Sequence, residues 1–99
     1  MQRIFSRGTL RSFWETRPET EQYLKTWYET VMRSEWKTPH DIRQTYATAS
    51  ILKHGYVVFN IMGNAYRLVA RINFEGQWLF IQFISDHKDY DRFMNSKKG

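Results

Sequence analysis

VVFNIMGNAYRLVARINFEGQWLFIQFISDHKDYDRF, Val57–Phe93, decides how this chain folds. Successive side chains of an extended chain point to opposite faces, so a strand buried on one side alternates apolar and polar residues. Tyr56–Ile61, Ala65–Phe74 and Trp78–Ser85 all read this way. Gly63-Asn64 is a turn of the kind that tolerates positive φ, and Glu75-Gly76-Gln77 is the next one. Three strands joined by short turns make an antiparallel meander. Beyond it, residues 86–93 read as a short helix capped by Ser85 or Asp86, and residues 95–99 as a frayed tail.

Upstream of the meander the period changes from two to about 3.6. Met1–Ser6 alternates briefly and suits an edge strand. Thr9 is placed to cap a helix that carries Leu10, Phe13 and Trp14 on one side. Pro18 ends or restarts that run. From Glu19 to Trp36, Leu24, Trp27, Tyr28 and Val31 recur on one helical face. Glu21–Lys25 and Glu29–Arg33 form i,i+4 pairs on the other. Thr38-Pro39-His40-Asp41 then reads as a cap, a first-turn proline and an acid at the start of a helix reaching Tyr46. Thr48–Gly55 is irregular. The order strand, helices, three strands is an α+β domain with its helices on one face of a small, mainly antiparallel sheet. The other face can remain open.

Ninety-nine residues make one domain, 1–99. With no cysteine, disulfides and thiolate zinc sites are excluded, which fits a reducing cytoplasm. No apolar run approaches the roughly 20 residues of a membrane span, and no charged-then-apolar leader opens the chain. The net charge of +5 favours anionic partners where the basic side chains converge.

Basic residues are spread over both halves of the chain, and two of them fall on one face of a single strand. In Ala65–Phe74, Tyr66, Leu68, Ala70, Ile72 and Phe74 share one face, and Arg67, Val69, Arg71 and Asn73 share the other. Arg67 and Arg71 stand about 13 Å apart on one side of a strand, able to follow a phosphate backbone. In the next strand, Leu79, Ile81, Phe83, Ser85 and His87 fall on a single face. The end of the run, His87-Lys88-Asp89-Tyr90-Asp91, combines an acid/base near neutrality, a phosphate-binding cation and a ring that can stack or donate a proton. Lys53 and His54 precede the first meander strand and are either further anion contacts or plain loop residues. Arg67 and Arg71 alone read equally well as a solvated sheet face, and the terminal cluster as a polar helix. His87 and Asp91 offer two i,i+4 metal ligands where a working site needs three or four, so no metal or cofactor is assigned.

The strings VVFNIMGNAYRLVARI (Val57–Ile72) and FIQFISDHKDYDRF (Phe80–Phe93), with LRSFWE (Leu10–Glu15) and EWKTPHDI (Glu35–Ile42), resemble the HigB family of bacterial toxins within the RelE-like superfamily. The resemblance spans about residues 3–93. Its specific part is N-x-x-G-N-x-Y-R-L-V joined to a downstream H-K-x-Y-D. It implies a RelE-like compact fold and a metal-free endoribonuclease that cleaves mRNA on the translating ribosome. In that reaction the ribose 2′-OH attacks the adjacent phosphate. It also implies a HigA-type helix-turn-helix antitoxin as partner. By position in the motifs, Arg67, His87, Lys88 and Tyr90 are then the catalytic candidates. His87 would be base or acid, Arg67 the stabiliser of the charged phosphate, and Tyr90 the positioner of the nucleotide or a partner in proton transfer. Lys88 would also hold a flanking phosphate, and Arg71, Lys53, Asn73 and His54 would hold RNA. A non-catalytic RNA-binding module would use the same basic face, with Tyr56 as a stacking platform. A purely protein-binding domain would show no RNA phenotype at all.

Overall fold

The computed structural model describes residues 1–86. The expected helix at 86–93, the frayed tail at 95–99 and the candidates His87, Lys88 and Tyr90 lie outside the described residues, Asp86 excepted. The elements run β1 (Arg3–Phe5), α1 (Arg7–Thr16), α2 (Glu21–Arg33), α3 (Pro39–Thr45), β2 (Ser50–Ile51), β3 (Tyr56–Ile61), β4 (Tyr66–Asn73) and β5 (Trp78–Ser85), with 3₁₀ turns at Pro18–Thr20 and Lys53–Gly55. The strands form one sheet in the order β1-β5-β4-β3-β2. β1 joins parallel to β5 and every other pair is antiparallel. This is the α+β architecture expected from the sequence, with helices on one face.

Helix α1 begins earlier than the Thr9 cap would have it. Ser6 adopts a left-handed conformation, φ 66°, and its side chain makes no capping bond. The chain leaves β1 and turns at once into the helix, and one left-handed residue makes that reversal in the least length. Thr9 falls in the first turn, its N–H donating to the Ser6 carbonyl. Leu10 is buried, and Phe13 and Trp14 are half-buried beside it. Helix α2 buries Leu24, Trp27 and Val31, three of the four residues expected on its inner face, with Tyr28 half-buried. It ends at Arg33, so Trp36 is buried from the following loop instead. Its Nε1 donates to Thr45 Oγ1 at 3.1 Å, joining the loop to α3. At α3 the capping box is complete: the Asp41 N–H donates to Thr38 Oγ1, and Asp41 Oδ2 accepts from the Thr38 N–H.

Phe59, on the central part of β3, gathers the core. The rings of Trp27, Tyr46 and Trp36 lie 5.4, 5.5 and 6.0 Å from it, the first two edge-on and the last stacked. Such pairs add about 0.5–1.5 kcal/mol each beyond the area they bury. Leu68, Ala70 and Ile72 of β4 and Leu79 and Ile81 of β5 complete this layer. A second tie fixes the start of β4: the Tyr66 hydroxyl donates to Glu19 Oε2 at 2.8 Å, while the Arg17 guanidinium lies over the Phe13 and Tyr66 rings.

Two features of the sheet also departed from expectation. Ser50–Ile51, inside the stretch read as irregular, forms the short edge strand β2 against Val57 and Val58. In the β4–β5 ladder Val69 pairs with Phe83 but Ala70 pairs with Ile81, so Gln82 is an extra residue on β5. That bulge inverts the alternation of everything after it. Leu79 and Ile81 face the helices, as predicted with strict alternation. Phe83 and Ser85 do not share their face: they stand opposite Val69 and Arg67, on the arginine side.

Two outcomes follow from local geometry. Gly55 has φ +82°, and a Cβ there would stand 2.9 Å from the Ile72 carbonyl oxygen, whereas Gly63 has φ +70° and open space. Gly63→Ala should lose about 1 kcal/mol in urea unfolding, and Gly55→Ala about 2 kcal/mol or more. Equal losses would mean that the carbonyl simply moves aside. The Lys37 N–H, with Thr38 behind it, holds the Asp41 carboxyl below its ordinary value. Its stabilisation is therefore present above the ordinary carboxylate range and is lost as pH falls through the lowered value. Asp41→Asn should melt lower than wild type at neutral pH, and the gap should close on acidification.

Candidate functional site

The second face of the sheet, turned away from the helices, holds the arginines. The pairings place its residues in rows across the strands. Asn60, Arg67 and Ser85 form one row, and Val58, Val69 and Phe83 the next. Tyr56, Arg71, Phe80 and Phe5 form a third, and Asn73, Trp78 and Arg3 a fourth. No residue in these rows is acidic. Arg67 and Arg71 do share a side, as the two-residue period required. They are separated by one row whose valines, Val58 and Val69, are 2% and 0% exposed. The face expected to be open is thus closed at its centre, and the two cations belong to two distinct ends of it.

Arg71 is held from three directions. Its Nε donates to the His54 carbonyl at 3.2 Å, and its guanidinium lies 5.7 Å from the centre of the Tyr56 ring. Phe80 is its neighbour on β5. The 3₁₀ turn makes this possible: His54 has φ 63° and Gly55 follows at φ +82°, so the backbone folds back and directs a carbonyl at the strand. An arginine anchored through Nε keeps its two terminal nitrogens, with four N–H donors, for a planar anion. Lys53 and His54, both exposed, are therefore beside Arg71. Asn73 has a structural task, its Oδ1 accepting from the Gly76 N–H at 2.6 Å to close the β4–β5 turn.

Arg67 is half-buried at the other end, its terminal nitrogen 3.4 Å from the Tyr66 carbonyl. Its cross-strand neighbour Ser85 is 7% exposed and is the last residue of β5. Among the described residues no three His, Asp or Glu side chains gather as a metal site, and no helix is long and apolar enough to cross a membrane. His40 stands exposed at the start of α3.

Two site features escaped the sequence. The Gln82 bulge that sets Ser85 against Arg67 has no signature in an apolar strand. The anchoring of Arg71 by a main-chain oxygen involves no side-chain pattern, although the His54-Gly55 pair ahead of a strand is a signal for a left-handed turn.

Among the described residues, the four strand rows of the second face carry arginines and no carboxylate. Residues 20–93 match the model of the HigB toxin family, the RelE-like toxic component of a toxin-antitoxin system, and the chain belongs to that family. The mRNA interferase toxin HigB of Escherichia coli K12 is 27% identical over 92 residues, which cover 91% of this chain and 88% of that protein. The mRNA interferase HigB of Shigella flexneri matches to the same extent. That of Escherichia coli O6:H1 is 26% identical over 77 residues, 76% of this chain and 75% of that one.

If Arg71 contacts one phosphate of a single-stranded RNA, Arg71→Ala should flatten the dependence of log affinity on log salt by about 0.7. Arg71→Lys should retain the slope. An unchanged slope in the alanine variant would remove Arg71 from the interface.

Proposed function

We propose that this chain is a metal-independent endoribonuclease that cleaves mRNA in the cytoplasm, on the translating ribosome, as the toxin of a toxin-antitoxin pair. Its antitoxin would be of the helix-turn-helix HigA type, and residues 1–99 would act as one toxin domain. The observation that carries the reading is the pairing of Arg67 with Ser85 on the face that bears both arginines. Ser85 precedes the terminal His-Lys-x-Tyr-Asp sequence by two residues. Family membership and the names of the relatives support the same substrate.

The chemistry follows from these groups. His87, or another group of the terminal motif, removes the proton of a ribose 2′-OH. The 2′ oxygen bonds to the adjacent phosphorus, and the bond from phosphorus to the 5′ oxygen breaks. A general acid returns a proton to that oxygen. The products are a 2′,3′-cyclic phosphate and a 5′-hydroxyl. Arg67 stabilises the charge on the five-coordinate phosphorus, Lys88 and Arg71 hold the flanking phosphates, and Tyr90 positions the nucleotide or shares the proton transfer. Lys53 and His54 extend the contact beyond Arg71.

Purified toxin should cut mRNA in translation extracts treated with EDTA at a level that spares the ribosomes, leaving cyclic-phosphate ends inside reading frames. Arg67→Ala and His87→Ala should each slow the cut about 100-fold or more. Full activity in both variants would refute the assignment of roles. Intact messages and normal growth on induction would refute the nuclease reading and leave the non-catalytic RNA-binding module in its place.

A further inference from the structure

The third and fourth rows continue past Arg71 to the β1 edge of the sheet, where the side chains become aromatic. Phe5 and Phe80 are 41% and 39% exposed, which is uncommon for rings that could have been covered. They are held by each other and by Trp78. The Phe5 ring is edge-on to Trp78 at 6.2 Å and tilted against Phe80 at 6.5 Å. Arg3 pairs opposite Trp78 and Arg71 opposite Phe80, so the rings lie between two cations.

We propose that Phe5, Phe80 and Trp78 form a base-stacking platform that holds single-stranded RNA flanking the cleaved phosphate. Three properties select this occupant. Every base has a π face, so half-exposed rings on a rigid sheet bind single strands without sequence preference. Arg3 and Arg71 flank the rings as phosphate partners, and the rows contain no carboxylate that would repel a polyanion. The platform also lies on the face that bears Arg67, one strand over from Arg71 and about 13 Å along β4 from Arg67. It therefore contacts nucleotides beyond the reacting one. The strand carrying Phe5 is tied in by its parallel pairing with β5, so the ring is preorganised on backbone hydrogen bonds. The inference rests on the proposed RNA reading of this face and adds to it a subsite with a separate chemical basis.

The test uses the full chain and a fluorescent RNA 12-mer with every 2′-OH methylated, which binds but cannot be cut. Phe5→Leu/Phe80→Leu keeps apolar bulk and removes both π faces. It should fold as wild type by melting temperature and bind at least about tenfold more weakly. The salt slope should not change, because rings release no counterions. Phe5→Trp/Phe80→Trp should restore binding to within about twofold of wild type. Unchanged affinity in the folded leucine variant would overturn the platform while leaving RNA cleavage in place. So would unchanged RNA affinity with lost antitoxin co-elution, or with a changed oligomeric state, since the patch would then be a protein interface. Absence of binding by wild type, together with absence of mRNA cleavage, would instead remove the function on which the platform rests.

Discussion

β4 is buried on one side and basic on the other, and the geometry of extended chain enforces the division. Leu68, Ala70 and Ile72 are 0–5% exposed beneath the helices. With a period of two, Arg67 and Arg71 must then emerge on the opposite face. Neither arginine can be turned inward without exposing the centre of the core. The charge of the second face is thus a consequence of the packing of the first, and the aromatic cluster around Phe59 keeps that packing in a single register.

Within that frame the second face divides into two ends. Val58 and Val69, buried between them, separate the Arg67 row from the Arg71 row. The Arg67 end joins the last residue of β5, the point from which the chain enters its terminal His-Lys-Asp-Tyr sequence. The Arg71 end joins the 3₁₀ turn of Lys53–Gly55 and the aromatic β1 edge. In the proposed reaction the Arg67 end would meet the cleaved phosphate and the Arg71 end the flanking chain. This suits a toxin whose substrate extends far beyond the bond it breaks.

Much of this was legible beforehand. The alternation in Ala65–Phe74 assigned both arginines to one face, and Leu24, Trp27 and Val31 marked the inner side of α2. Thr38-Pro39-His40-Asp41 announced a capped helix, because capping chemistry is local and involves residues three apart. Thr9 was a poorer guide, because the start of α1 answers to the reversal out of β1 and not to a side-chain cap. The two-residue strand β2 was also beyond a local reading: Ser50–Ile51 has strand character only because β3 offers it an edge.

The sequence by itself determined which residues of β4 would be charged and which buried, and the places where helices begin with proline and acid. Each depends on spacing within a single segment, and spacing is visible in the letters. Only the tertiary structure decided that Ser85 stands opposite Arg67, that the His54 carbonyl anchors Arg71, and that Phe5 joins Phe80 and Trp78 beside it. The first depends on one extra residue in an apolar strand, and an inserted Gln82 costs nothing in composition while it exchanges the faces of Phe83 and Ser85. The second uses a main-chain oxygen, which every residue has. The third joins residues more than seventy positions apart through a parallel pairing of strands, which no local pattern encodes.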